Sequence, residues 1–440
     1  MARIIGGIAT SHSPTIAFAQ DAHKENDPAW APIFEGFGPV KKWLAEKKPD
    51  VLFYIYNDHI TSFFFDHYSH FALGIGEEYP PADEGGGVRH IPTIKGHPKL
   101  AEHIAFGLVA DEFDLSYFQG KGMDHGAFSP LSMMMKHEGE WEYPIVPLQV
   151  GVLEVPVPSA KRCYKLGQSL RKAIMSYPED LKVVIVSTGG LSHQVHGERS
   201  GYNNEPWDRQ FLDMITDDPV RLSEITIADY VRLGGQEGAE VIMWLIMRGA
   251  LSANVKKVHQ SYYLPTMTGL ATLVLEDQSI DPPADTLDAI RDHMLAQYKG
   301  IDKLEGNYPY TVSRMAKSFR VNTFLHALIK PEHRRRFKED LEGLFTEWKL
   351  TEEERKMIRN HEWQNMIHYG VCFFMLEKMG AVIGTSNLHI YAAMAGKPIE
   401  EFLKTRNAPG ALYSVAAEVP KKFTTAEDSQ HDVPEAVVAK

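Results

Sequence analysis

Four short apolar runs constrain this chain more than any other feature: "RIIGGIA" (3–9), "VLFYIY" (51–56), "YPIVPLQV" (143–150) and "KVVIVST" (182–188). Each is rich in β-branched or aromatic residues and bounded by turn-forming ones, so each predicts a buried strand. Helical patterns lie between them, as in "PVKKWLAEKK" (39–48) and "AKRCYKLGQSLRKAIMSY" (160–177). This alternation predicts an α/β domain with a central sheet, mostly parallel or mixed, flanked by helices.

Near residue 277 the pattern changes. "DQSIDPPADTLDAI" reads as a linker with a Pro-Pro stop. Beyond it, "RVNTFLHALI", "RRRFKEDLEGLF", "TEEERKMIRN" and "MIHYGVCFFMLEKMGAVIG" place apolar residues at helical spacing. Thr351 and Glu354 form the pattern of a capping box. The expected organisation is an α/β catalytic domain over 1–280, a small all-helical domain over 281–415 and a polar tail over 416–440.

Charge and composition remove several classes of function. A net charge of −12 over 440 residues argues against nucleic acid and anionic membrane as partners. Two cysteines, Cys163 and Cys372, make neither a disulfide framework nor a C-x-x-C metal site, so a reducing cytoplasm is expected. No run approaches the ~20 apolar residues of a membrane helix. "MARIIGGIATSHSP" lacks the apolar core of a signal peptide. "VIMWLIM" (241–247) reads as a buried core helix.

The chain carries 20 histidines, and their placement matters more than their number. The first strand runs out into "ATSHSP" with His12, and the second ends abruptly in Asn57-Asp58-His59. The glycine-rich "GKGMDHGAFSP" holds His125, and the strand "KVVIVST" leads through two glycines to His193 and His196. Strand ends are where open α/β sheets gather ligand-binding groups. A divalent metal would also need a carboxylate. Glu240, beside an otherwise apolar helix, needs a partner or it is costly, whereas Glu237 can be solvated at the helix start. Glu240 is the better candidate ligand, with a salt-bridged or capping glutamate as the structural alternative. Two histidines and one carboxylate leave an open face, as in non-haem Fe(II) oxygenases; zinc favours a more nearly closed tetrahedron. "ADEGGGVRH" (82–90) lacks phosphate-loop spacing and reads as a mobile loop.

The elements "GIATSHSP", "NDH", "GMDHGAF", "STGGLSHQ" and "GAEVIMWLIMRGAL" together resemble the catalytic subunit of class II extradiol dioxygenases of the protocatechuate 4,5-dioxygenase type. "RVNTFLHALI" and "HYGVCFFMLEKMGAVIG" resemble that family's small helical subunit, here on the same chain, an order that points to gallate as the substrate. The resemblance implies that His12, His59 and Glu240 bind Fe(II), that His193 is the general base, and that His125 assists in the substrate and oxygen pocket. It gives no role to His196. It further implies contacts to the ring substituents from Thr268, Glu377 and Tyr391, and a homodimer whose helical domains reach neighbouring active sites. The implied reaction is ring opening of gallate by O2 to an oxo acid of the 4-oxalomesaconate type. Protocatechuate and 3-O-methylgallate are alternative substrates. A metal-binding protein without dioxygenase activity, or a zinc hydrolase, is the alternative from another class.

Overall fold

The structure, a computed structural model, describes residues 1–279 and 282–404. Contacts divide the chain into two compact units, Met1–Lys299 and Gly300–Lys440.

The first unit is built on an eight-stranded sheet. In chain order the strands are β1 (Arg3–Thr10), β2 (Val51–Tyr56), β3 (Phe71–Gly74), β4 (Glu78–Tyr79), β5 (Ile94–Lys95), β6 (Ser116–Phe118), β7 (Ile145–Val150), β8 (Lys182–Thr188), β9 (Val255–Tyr263) and β10 (Leu270–Asp277). The large sheet has the order β6-β3-β7-β2-β8-β1-β10-β9, and β4 pairs with β5 in a separate ribbon. Strands β7, β2, β8 and β1 run parallel to one another. β10 and β9 extend the sheet antiparallel beyond β1, and β3 is antiparallel to β7. The sheet is therefore mixed around a parallel centre.

β2 and β7 are buried along their whole length, and β8 along all but its first residue. A strand covered on both faces reads as a continuous apolar run, which is why β2 and β8 have the limits expected from sequence. The helix Ala31–Lys47 begins earlier than the pattern at 39–48 and runs through Pro39. The segment read as a linker, 277–290, runs into the helix Ala284–Leu295, which buries Leu287 and Met294; its contacts are with the helices Pro98–Ala110 and Ala160–Met175. The glycine-rich stretch around His125 is shorter than expected, since a helix starts at His125 with Asp124 as its N-cap. "VIMWLIM" begins as a 3-10 helix (Glu237–Met243) and continues as an α-helix (Trp244–Ala250).

The second unit is helical, from Val312–His326 to Ile399–Leu403. Val321, Phe324, Phe345, Met366, Leu376 and Ile390 lie in its own core. Two of the expected long helices are broken. Asp340 separates Pro331–Glu339 from Leu341–Glu347, and Gly370, at φ 119°, ends Trp363–Tyr369. The expected tail at 416–440 lies outside the described residues.

The capping box at Thr351 is present. Its Glu354 is fully buried and accepts from the Thr351 backbone N–H (2.8 Å), Arg320 Nε (2.9 Å) and Tyr369 Oη (3.2 Å). Thr351→Ala should lower the unfolding free energy by about 1 kcal/mol. Glu354→Ala should cost more, roughly 2–3 kcal/mol, because it strands several donors at once. Denaturant unfolding of the two variants against the parent measures the difference.

Candidate functional site

The parallel centre delivers the site. β1, β8 and β2 are adjacent and point the same way, with Thr10 level with Thr188 and Ile55 level with Ser187. The residues just past their carboxyl ends therefore meet at one edge of the sheet. They are His12, the Gly189–His193 turn, and His59. After β2, the Asp58 carboxylate accepts the backbone N–H groups of Thr61, Ser62 and Phe63. That local capping ends the strand and leaves the next imidazole at the sheet edge.

One ligand atom each from His12, His59 and Glu240 lies within 4.8 Å of the others. Glu240 Oε2 is 2.7 Å from His12 Nε2 and accepts from the Gly190 N–H at 3.1 Å. The tautomer of His12 follows from its neighbours. The Thr188 hydroxyl donates to the Gly126 carbonyl (3.2 Å), so it must accept from His12 Nδ1–H (3.0 Å). Nε2 is then a bare lone pair facing a carboxylate oxygen, and it has no hydrogen-bond partner of acceptable geometry. Burial favours a neutral His12. Burial would also raise the Glu240 carboxyl; positive charge at the His12 position, and after it at His193 and His59, is what holds it well below the usual range, and a neutral His12 does not supply that charge itself. Two lone pairs at this distance repel unless a cation stands between them. A proton could bridge two of these atoms; a metal would satisfy all three. The donor set fits a divalent metal, and it is one that leaves coordination positions open.

His59 is set by Asp124, whose Oδ2 accepts both its backbone N–H (2.7 Å) and its Nδ1–H (2.9 Å). Burial opposes protonation of His59, yet this carboxylate and its charge push it up to about 9. Asp124 Oδ1 accepts the Gly126 N–H at the helix start. With both oxygens engaged, Asp124 orients His59, and it also groups closely with His59 and His125.

His193 Nδ1 donates to the Leu191 carbonyl (2.8 Å), which leaves Nε2 free at 3.7 Å from Glu240 Oε1. Its segment is fixed on both sides: His193 N–H to Gly234 O, Gly238 N–H to His193 O, and Leu191 N–H to Gly269 O. His125 stacks on His59 with ring centroids 3.9 Å apart. Its Nδ1 faces Glu84 Oε2 at 2.5 Å.

These groups line a cavity of about 380 Å³ that also includes Glu237, Thr266 and Thr268. Glu237, the competing carboxylate, is turned to the Val195 N–H (3.0 Å) and His196 Nδ1 (2.5 Å). His196 is exposed and is not among the cavity-lining residues. Thus His12, His59, Glu240, His125, His193 and Thr268 are brought together in the first unit. Glu377 and Tyr391 belong to the second, where Glu377 Oε1 accepts from Tyr391 Oη (2.6 Å) and Asn387 Nδ2 (2.7 Å). Two residues were missed from sequence, Asp124 and Glu84. Asp124 was discoverable as an N-cap directly before the helix; Glu84 left no such signal.

Fold and site together define a class: an α/β enzyme with a candidate metal site at the carboxyl edge of its sheet. Residues 6–274 match the family of the catalytic LigB subunit of aromatic ring-opening dioxygenase, and residues 321–407 match the LigA subunit of the LigAB enzyme. The chain belongs to this family of metal-dependent aromatic ring-opening dioxygenases. A gallate dioxygenase of Pseudomonas putida is 58% identical over 339 residues, covering 77% of this chain and 99% of that protein. A 2,3-dihydroxyphenylpropionate/2,3-dihydroxicinnamic acid 1,2-dioxygenase of Photorhabdus laumondii is 22% identical, covering 61% of this chain and 95% of that one. Among the described residues, no helix is long and apolar enough to cross a membrane.

Replacing Asp124 by Asn keeps its shape and removes the charged acceptor behind His59. Divalent metal affinity should fall by about 10–100-fold, the usual effect of losing such an orienting partner. Metal titration of the parent and Asp124→Asn chains, each stripped of metal, gives the ratio.

Proposed function

We propose that this chain is an Fe(II)-dependent extradiol dioxygenase that opens the ring of gallate beside its vicinal hydroxyls. Both atoms of O2 enter the product, a ring-opened oxo acid of the 4-oxalomesaconate type. The observation that carries the substrate is the similarity to the P. putida gallate dioxygenase along nearly all of that protein's length. His12, His59 and Glu240 are the metal ligands, and the open face they leave favours Fe(II) over zinc. When bound, Fe(II) would hold the two diol oxygens and pass electrons between the ring and O2.

The protein's own groups place the substrate and move protons. His193 presents a bare Nε2 and takes a phenolic proton, a role suited to an imidazole near neutral pH. His125 and Thr268 offer polar edges to the same cavity. Glu377 and Tyr391 recognise the ring's carboxylate or distal hydroxyl, in a homodimer whose helical units serve neighbouring copies. Tyr391 and Asn387 already hold Glu377 in one orientation, which supports a preformed contact. A reducing cytoplasm suits both Fe(II) and the free thiol of Cys163.

Protocatechuate and 3-O-methylgallate each differ from gallate by one ring substituent, so the test is comparative. After anaerobic reconstitution with Fe(II), oxygen uptake should give the highest kcat/KM with gallate. A higher value with either other acid would reassign the substrate; no uptake with any of them, or activity restored by zinc alone, would end the dioxygenase reading.

His12→Ala, His59→Ala and Glu240→Gln should each lose bound iron and turnover while staying folded, whereas Glu237→Gln should keep its iron. His193→Ala should retain iron and lose roughly 10²–10⁴-fold in kcat, the contribution of a positioned base. Glu377→Gln and Tyr391→Phe should raise KM or lower kcat for gallate more than for simple catechols. Iron analysis beside steady-state oxygen uptake distinguishes these outcomes.

A further inference from the structure

Glu84 stands on the glycine-rich loop 82–90, forty-one positions before His125, and is not among the residues lining the cavity. Its two oxygens divide their work. Oε1 accepts the backbone N–H of His125 at 2.8 Å, and Oε2 faces His125 Nδ1 at 2.5 Å. An ionised carboxylate only accepts hydrogen bonds, so Nδ1 must carry a proton. The edge left for the cavity that His125 lines is Nε2. The loop read as mobile has its own anchors. Arg89 grips Asp21 through Nε (2.8 Å) and Nη2 (2.7 Å) and reaches the Phe128 carbonyl (3.2 Å). The Asp83 carboxylate accepts the N–H groups of Gly85 (2.8 Å) and Gly87 (3.0 Å).

We infer that Glu84 is a positioning residue for ring opening: it fixes the tautomer and orientation of His125, and the Arg89-anchored loop holds Glu84 in place. This deepens the dioxygenase reading above and rests on it. The chemistry makes the glutamine variant informative. The two N–H groups of His125 go to different Glu84 oxygens, so in Glu84→Gln, with the geometry kept, the amide oxygen replaces only one of the two acceptors. If it takes the backbone N–H, the amide NH2 faces Nδ1 and forces the proton to Nε2, reversing the edge shown to the cavity. Gln is nearly isosteric with Glu, so a residue that mattered only for packing would tolerate it.

Two measurements test this. In the first, the Fe(II)-loaded parent, Glu84→Ala, Glu84→Gln, His125→Ala and His125→Ala/Glu84→Gln are compared for iron content, kcat and KM with gallate. Iron should stay unchanged. Glu84→Gln should lose about 10–100-fold in kcat with no rescue relative to Glu84→Ala. The loss should vanish in the His125→Ala background, because the residue acts only through that ring. A Glu84→Gln variant with parental kcat, or an undiminished loss without His125, overturns the inference. The second does not depend on turnover: ring-nitrogen NMR of the full chain, metal-free and labelled at histidine, with the His125 signal assigned by its loss in His125→Ala. The parent ring should carry a proton on Nδ1, and the Glu84→Gln ring should have a bare Nδ1 and a proton on Nε2. A bare Nδ1 in the parent overturns the inference even if the substrate reading stands. An inactive parent with the expected tautomers sinks the substrate reading alone.

Discussion

The site depends on an ionised carboxylate that has almost no access to water. Glu240 is 2% exposed, and an uncompensated buried charge costs several kcal/mol. Compensation comes from the Gly190 N–H, and a cation bound between Glu240 and the His12 lone pair would supply the rest. The backbone is shaped to permit this. Gly189 and Gly190 both have positive φ, at 115° and 66°. A Cβ on Gly190 would lie 2.4 Å from Val241 Cγ1, so only glycine lets the 3-10 helix close against the end of β8. The placement of the Glu240 carboxylate, the strand end and the helix type are thus one constraint.

Sheet topology supplies the rest of the convergence. His12 and His59 leave neighbouring parallel strands on either side of β8, whose turn carries His193 between them. β10 runs antiparallel to β1, with Thr272 level with Thr10, so the loop before β10 returns to the same edge. Ser11 ties the two together through its N–H to the Ala271 carbonyl and its hydroxyl to the Gly269 carbonyl. That is how Thr268, more than 250 residues from His12 in the chain, comes to line the same cavity.

What was legible in the sequence follows from burial. β2 and β8 could be bounded from sequence because strands covered on both faces are unbroken apolar runs. The four strand-end or turn histidines could be singled out because polar groups interrupt those runs. The hairpin strand β9, half in water, has no such contrast, and it was not anticipated. The helix at Ala284–Leu295 was hidden by the prolines before it, although Leu287 and Met294 are spaced to share a face. Glu84 was beyond any local pattern. Its partner is a ring 41 positions away, and a glutamate among glycines looks like solvated loop.

The four imidazoles around the cavity follow one rule with a graded exception. Each commits Nδ1 to an acceptor outside the site: His12 to the Thr188 hydroxyl, His59 to Asp124, His125 to Glu84 and His193 to the Leu191 carbonyl. Each therefore offers Nε2 inward, and a shared tautomer is built from four unrelated local structures. The acceptors differ in charge. A carboxylate behind His59 strengthens that ring as a donor to a cation, consistent with its raised pKa of about 9. A neutral carbonyl behind His193 orients the ring without adding a charge, as the proposed base would require. The rings that line the cavity are thus differentiated one layer away from it, by the charge of the partner each Nδ1 meets.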